Sequence, residues 1–198
     1  MNIFLYAILW LSFGLGHSIS AKLSVQQRFA PSFQYYRLCY NAFAAVHILL
    51  VLYLGLTLLS TETFTFFTSL LAVMKFIQLA GLIFILLALR QYDLKEFLGI
   101  AVLLNRKARN ESGLGGEATK LEPLNTGGLN QWVRHPLYVG GFIFLWGGAV
   151  SPFGFYTALF GSLYLLIGSW HEEKKLVRLY ADEYRRYQQR VPRFIPKL

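Results

Sequence analysis

Apolar residues in this chain come in unbroken runs rather than in alternating or amphipathic stripes. Three runs, at about 2–19, 40–59 and 66–89, are long, and the third carries a single charge, Lys75. About 20 apolar residues cross a bilayer core of roughly 30 Å, so each run predicts a transmembrane helix. Two shorter runs, 137–150 and 153–169, are broken at Ser151-Pro152. They read as a helical hairpin that returns to the side it left. Pro136 suits the first turn of the fourth helix, where a missing N–H costs nothing. The expectation is an all-α polytopic membrane protein of about five transmembrane helices, closed by a C-terminal hairpin and an amphipathic tail helix.

Between the runs lie polar connections. One holds Lys22, Arg28 and Arg37; residues 57–68 form a short Thr- and Ser-rich turn; residues 90–133 are the longest polar stretch, with a short amphipathic piece at 93–104. In the tail, Leu176, Leu179, Tyr180, Tyr184 and Tyr187 recur at helical steps among Lys174, Lys175, Arg178, Arg185 and Arg186. That pattern suits a helix lying on an anionic membrane surface, stopped by Pro192. By organisation, 1–89 is a bundle of three helices, and 90–198 holds the polar loop, the hairpin and the basic tail.

Composition agrees. Hydrophobic residues make up 55% of the 198 and charged residues 15%, against about 25% charged in soluble domains. The net charge of +9 could point to nucleic acid, but the cations sit at the ends of apolar runs and form no basic-aromatic module, so nucleic acid is excluded as a partner and membrane lipid retained. Of the 19 Lys and Arg, three lie between the first two runs, seven between the third and fourth, and eight in the tail. With five crossings these segments share one side, which the positive-inside rule makes cytoplasmic, with the N-terminus outside. The first run lacks a basic flank and a convincing cleavage site, so it reads as a retained span. The lone Cys39 excludes an internal disulfide, and the four histidines lack metal-ligand spacing, so no metal is expected.

The hairpin brings distant polar residues together. Arg134 and His135 stand at its start, His171, Glu172 and Glu173 at its end, and Tyr138 and Gly140 one turn deeper. Ionisable groups at that depth are functional candidates, whereas charges such as Lys174 and Lys175 read as headgroup anchors. Glycines at seven-residue spacing, Gly140 with Gly147, Gly141 with Gly148, then Gly154, Gly161 and Gly168, allow close helix packing or a slot for an elongated ligand. His17, Arg37 and Trp132 are candidates on the substrate side. A hydrogen bond to a neighbouring helix is the plainer role for His17, and an interfacial anchor the plainer role for Trp132. His47 and Lys75 are further mid-span candidates.

Arg134-His135-Pro136-Leu137-Tyr138-Val139-Gly140 resembles the RHPxYxG motif of the isoprenylcysteine carboxyl methyltransferase superfamily. Glu172-Glu173-x-x-Leu176, Tyr184-x-x-Tyr187 and Val191-Pro192-Arg193-Phe194-Ile195-Pro196 are similar to its C-terminal signature, and Gly128-Leu129 fits ahead of the arginine. Gly16-His17-Ser18, Tyr36-Arg37-Leu38 with Tyr40-Asn41, and 93–100 resemble a narrower branch, the methanethiol S-methyltransferases and NnrU-type membrane proteins. One departure stands out. Where the superfamily has Phe-Gly-x-x-Tyr, this chain has Tyr180-Ala181, a change expected to leave the tail helix intact.

The resemblance implies S-adenosylmethionine as methyl donor, bound without a Rossmann domain; Gly113-Leu114-Gly115-Gly116 has no strand–helix context for dinucleotide binding. It further implies that His135, Pro136, Tyr138, Val139 and Gly140 line the cofactor. Glu172 and Glu173 would reach its amine or ribose, and Arg190 or Arg193 its carboxylate. Arg134 would orient the acceptor, with Glu173 beside it in the catalytic centre. The acceptor is expected to be a small or lipophilic thiol. A prenylcysteine carboxylate, a phospholipid amine, and a non-enzymatic NnrU-like role remain alternatives, and no oligomeric state is fixed. The setting implied is a bacterial inner membrane.

Overall fold

The computed structural model describes residues 1–22, 24, 25, 28, 35–100 and 123–196. It is helical throughout the described residues: α1 (Asn2–Ser20), α2 (Tyr36–Leu58), α3 (Thr68–Leu89), a short α4 (Leu94–Leu98), a 3-10 turn (Gly128–Gln131), α5 (Pro136–Gly147) and α6 (Pro152–Arg190). The rest of the piece expected at 93–104, and Gly113-Leu114-Gly115-Gly116, lie outside the described residues.

Four of these helices, α1, α2, α3 and α6, are long and apolar enough to cross a bilayer, which makes this an integral membrane protein. Their outer faces carry exposed Phe4, Leu11, Val46 and Phe76, as a lipid solvent allows. The expected fourth crossing is shorter. α5 has 12 residues, about 18 Å at 1.5 Å per residue, and cannot span a 30 Å core by itself. It lies antiparallel on the second half of α3 instead. Gly81, Gly140 and Gly147 explain that contact. A methyl group at Gly81 would strike the backbone of Phe144, one at Gly147 the backbone of Gln78, and one at Gly140 the Ile85 side chain and backbone. Here the seven-residue glycine spacing serves backbone-to-backbone approach, the common use of small residues in lipid.

α1 and α2 form a second antiparallel pair, joined at one end by Asn2 Nδ2 donating to the Leu58 carbonyl (2.8 Å). α6 docks parallel to α1. Tyr6, fully buried, meets Thr157 at 2.8 Å, and Trp10 and Phe13 pack near Phe160 and Tyr164. The turn between α5 and α6 is tied to the connection 59–67, with Phe64 N donating to Val150 O and Phe153 N to Ser60 O. This closes one end of the bundle, and the basic segments gather at the other. The Ser151-Pro152 break is a helix start. Ser151 Oγ accepts from Gly154 N at 3.1 Å and Pro152 occupies the first turn, two standard N-terminal devices.

The tail is helical to Arg190, as expected, but it follows the membrane part of α6 across a kink. One expectation is overturned: Tyr180-Ala181 does not leave the helix intact. Ala181 sits at φ 45°, ψ −119°, a non-helical conformation that breaks α6 there. A glycine adopts that region freely, whereas a Cβ is disfavoured in it. The break turns the last segment back, and Tyr184 and Tyr187, expected on a membrane-facing stripe, are buried.

Candidate functional site

The polar residues converge where the break returns the tail. Pro136 pushes the residue before it out of helical conformation, and His135 accordingly sits at φ −127°, ψ 66°. In that extended state the Arg134 and His135 amides face outward and are taken by the tail: Arg134 N donates to Pro192 O (2.9 Å) and His135 N to Arg193 O (3.2 Å). The tail therefore docks as a short strap across the start of α5.

Glu173, four residues past the apolar part of α6 and 4% exposed, is the centre. Arg134 approaches one carboxylate oxygen with Nε at 2.8 Å and a terminal nitrogen at 2.7 Å. His135 Nε2 lies 3.1 Å from the same oxygen. The second oxygen accepts from Arg193 at 2.6 Å and from Gln188 Nε2 at 3.1 Å. Burial alone would push Glu173 up, but His135, Arg193 and Arg134 outweigh it and hold its carboxyl well below the usual carboxylate range. Burial likewise disfavours charge on His135. The hydrogen bonds and charges of Glu172 and Glu173 win, and its pKa stands above the ordinary imidazole value. When the ring is protonated, Nε2 points to Glu173 at 3.1 Å and Nδ1 to Glu172 at 3.4 Å.

Around this centre the rings are ordered. His135 stacks on Tyr138 with centroids 5.2 Å apart and planes 6° from parallel, and Phe194 from the strap packs at 5.8 Å. Glu172, 3.4 Å from His135 Nδ1, has a side chain 44% exposed.

The sequence-predicted residues divide as follows. Arg134, His135, Pro136, Tyr138, Glu172, Glu173 and Arg193 come together. Arg134 has four of its five N–H groups engaged, since its third guanidinium nitrogen donates to Gln188 O (3.1 Å) and Val191 O (2.6 Å). Gly140 faces α3 at Ile85, and Val139 donates its amide to the His135 carbonyl. Arg190 bonds only the Arg186 carbonyl among described residues and, with exposed Trp132, Gln131, Pro192 and Pro196, lines an open surface cleft. Arg37 is exposed; its backbone packs against Gly99, which has φ 77°, so the 36–38 and 93–100 motifs meet. His17 lies deeper, bonded to Tyr40 and Tyr164.

Sequence reasoning missed Gln188, Phe194 and Gln91. Gln91 Oε1 accepts from Leu129 N at 3.1 Å, against Gly128 at φ 56°. Only the positive-φ glycine signals that contact in advance, and nothing in the chain marks Gln188 apart from its neighbours.

Over 69 residues, 34% of the chain, the sequence is 39% identical to methanethiol S-methyltransferase 1 of Bradyrhizobium diazoefficiens, covering 24% of that protein. It is 39% identical over 67 residues to the methanethiol S-methyltransferase of Pseudomonas deceptionensis and 37% identical over 67 residues to that of Crocosphaera subtropica, covering 26% of each. The chain thus spans about a quarter of the length of the curated relatives it matches. No protein-family profile and no solved structure matches it.

Proposed function

We propose that this protein is an integral membrane methyltransferase that takes S-adenosylmethionine and methylates a small or lipophilic thiol, with its site on the cytoplasmic side of a bacterial inner membrane. The observation that carries the reading is the Glu173 cluster, built from the residues that the methyltransferase resemblance picks out. The similarity to methanethiol S-methyltransferases over a third of the chain supports a thiol as the substrate class.

The groups present fit such a donor. Its amino-acid end is a zwitterion, and the cluster turns one anion and one cation outward. Glu172 is 44% exposed, and Arg193 is 35% exposed with a single partner among described residues. Glu172 would take the amine and Arg193 the carboxylate, a charge-assisted pairing of the strong kind. The stacked His135–Tyr138 pair and Phe194 offer aromatic faces for a sulfonium or a base. Once bound, the donor supplies an electrophilic methyl group. Arg134 and Glu173 act by position, fixing strap, His135 and Arg193, since four of the five Arg134 N–H groups are spent on Glu173, Gln188 and Val191. Holding nucleophile and methyl in line in a dry pocket is the main source of acceleration open to such a site.

Purified protein in detergent, given labelled donor and a panel of thiols, prenylcysteines and phospholipids, tests the reading. Transfer to thiols is expected. Transfer confined to prenylcysteine carboxylates or lipid amines refutes the thiol assignment, and calorimetry showing no binding of S-adenosylmethionine or its demethylated product refutes the enzyme.

A further inference from the structure

The polar groups do not stop at the membrane boundary. The Tyr138 hydroxyl faces Gly168 on α6, and Tyr164 stands about one turn deeper on the same helix. The Tyr164 hydroxyl meets His17 Nδ1 at 2.9 Å, and the Tyr40 hydroxyl meets His17 Nε2 at 3.1 Å. One imidazole on α1 is therefore held by phenols from α2 and α6, with Phe13 packed beside it, 5.8 Å from its ring and 5.0 Å from that of Tyr164. Among the described residues no carboxylate or cation touches His17. Neutral imidazole has one donor and one acceptor nitrogen, so one of the two phenols must donate to the ring. The arrangement sets a transferable proton between the Tyr164 hydroxyl and His17 Nδ1.

Methylating a thiol releases one proton, which the Arg134 guanidinium, already protonated, cannot take. We infer that Tyr164 and His17 form the base that deprotonates a thiol reaching the site from the bilayer, an inference that rests on the thiol methyltransferase reading above. The S–H proton passes to the Tyr164 oxygen as the phenol's own proton passes to His17 Nδ1. The sulfur pair freed from that bond forms the new S–CH3 bond, and the old bond from methyl carbon to sulfonium sulfur breaks with its electrons left on the donor, now a neutral thioether. The proton on His17 then returns through Tyr164 and is released to water. Tyr164 touches the acceptor; His17 acts through it, with Tyr40 fixing its ring.

The test compares wild type, His17→Gln and Tyr164→Phe in detergent with two thiols of similar size, an alkanethiol protonated at neutral pH and an aryl thiol largely ionised there. Affinity for S-adenosylhomocysteine is measured by calorimetry alongside. A lost general base costs about 10²–10⁴-fold, so transfer to the alkanethiol should fall by that much in both variants. Transfer to the aryl thiol, which needs no base, should fall less than about tenfold, and nucleoside affinity should hold within about twofold. Equal losses for both thiols, or alkanethiol rates like wild type, overturn the inference and leave the methyltransferase standing. A wild-type protein that methylates neither thiol overturns both. Should His17→Gln lose nucleoside binding through misfolding, the Tyr164→Phe ratio decides.

Discussion

Replacing Glu173 by Gln keeps the volume of the side chain and removes its charge. Glu173 carries Arg134 and His135 on one oxygen and Arg193 and Gln188 on the other, so the new amide must turn N–H groups toward one of those donor pairs. The two arginines differ in what they lose. Arg193 is 35% exposed and can rehydrate, which makes its share small. Arg134 is 9% exposed and is left as a buried charge without a counterion. Removing one partner of a buried pair costs about 3–5 kcal/mol. Arg134 keeps the Gln188 and Val191 carbonyls, so the lower end applies, about 3 kcal/mol, or roughly 10²-fold in an opening equilibrium at 1.4 kcal/mol per decade.

That loss falls on the docking of the strap, so local opening is the quantity to measure. Hydrogen exchange read by mass spectrometry should show the amides of Arg134 and His135, which the strap protects through Pro192 and Arg193, exchanging about 10²-fold faster in Glu173→Gln. Adding Arg134→Met removes the stranded charge and should restore more than half of the protection on a logarithmic scale, as replacement of whole buried pairs by apolar groups often does. Exchange within about threefold of wild type in the single variant, or a double variant worse than it, would refute the view that this carboxylate ties the strap down.

Three further outcomes follow from the same geometry. Ala181→Gly should hold or raise thermal stability by up to about 2.5 kcal/mol, since a relieved left-handed backbone worth about 1–3 kcal/mol is partly offset by about 0.4–1 kcal/mol of unfolded-state entropy; Ala181→Val should lower it, and a Gly variant clearly less stable than wild type would contradict the strained break. Stability should depend on pH in two directions: Glu173, its folded pKa depressed, contributes fully above the unfolded carboxylate range near 4.3 and loses that contribution as pH falls below it, while His135, its folded pKa raised, contributes fully below about 6.5 and loses its share as pH climbs through the folded value. Melting in detergent should thus be highest between these limits, and a melting temperature still rising toward pH 9 would count against the charged His135. In calorimetry with S-adenosylhomocysteine, Arg193→Gln should weaken binding at least tenfold and Arg190→Gln less than twofold; the reverse order would move the carboxylate site to the surface cleft.

Much of this molecule could be read from the chain. Long apolar runs gave α1, α2 and α3 to within a few residues, because in lipid the length of a span is set by the bilayer rather than by side-chain competition. The meeting of Arg134 with Glu173 was legible from the hairpin alone, since Pro136 and Ser151-Pro152 fix where two antiparallel helices start. The tail was not. Its Tyr184–Tyr187 periodicity is the same whether those faces meet lipid headgroups or Arg134 and Asn130, to whose carbonyl the Tyr187 hydroxyl donates; periodicity reports that a face is buried and not against what. The spacing of Gly140 and Gly147 likewise announces a close neighbour but not that the neighbour is α3. How much of Arg134 is already spent on the fold was hidden for a third reason. A motif names the residue, whereas its free donors depend on backbone carbonyls more than 50 positions away.

The break at Ala181 joins these observations. A straight helix of 39 residues would be about 58 Å long, nearly twice a bilayer core, and its last turns would stand in water far from Glu173. With the break, the final carbonyls of α6 come down onto Arg134, whose guanidinium caps Gln188 and Val191, a cation at a helix C-terminus where the dipole favours it. The same guanidinium holds Glu173 in the middle of that helix. One side chain therefore closes α6 on itself, and the strap that follows brings in Arg193 and Phe194. Folding of the tail and assembly of the site are then a single event, so whatever favours the broken conformation at residue 181 also favours a site competent to bind. A chain held straight there would keep its four membrane helices and the His135–Glu172 contact, yet lose Arg193, Gln188 and the Arg134 cap together.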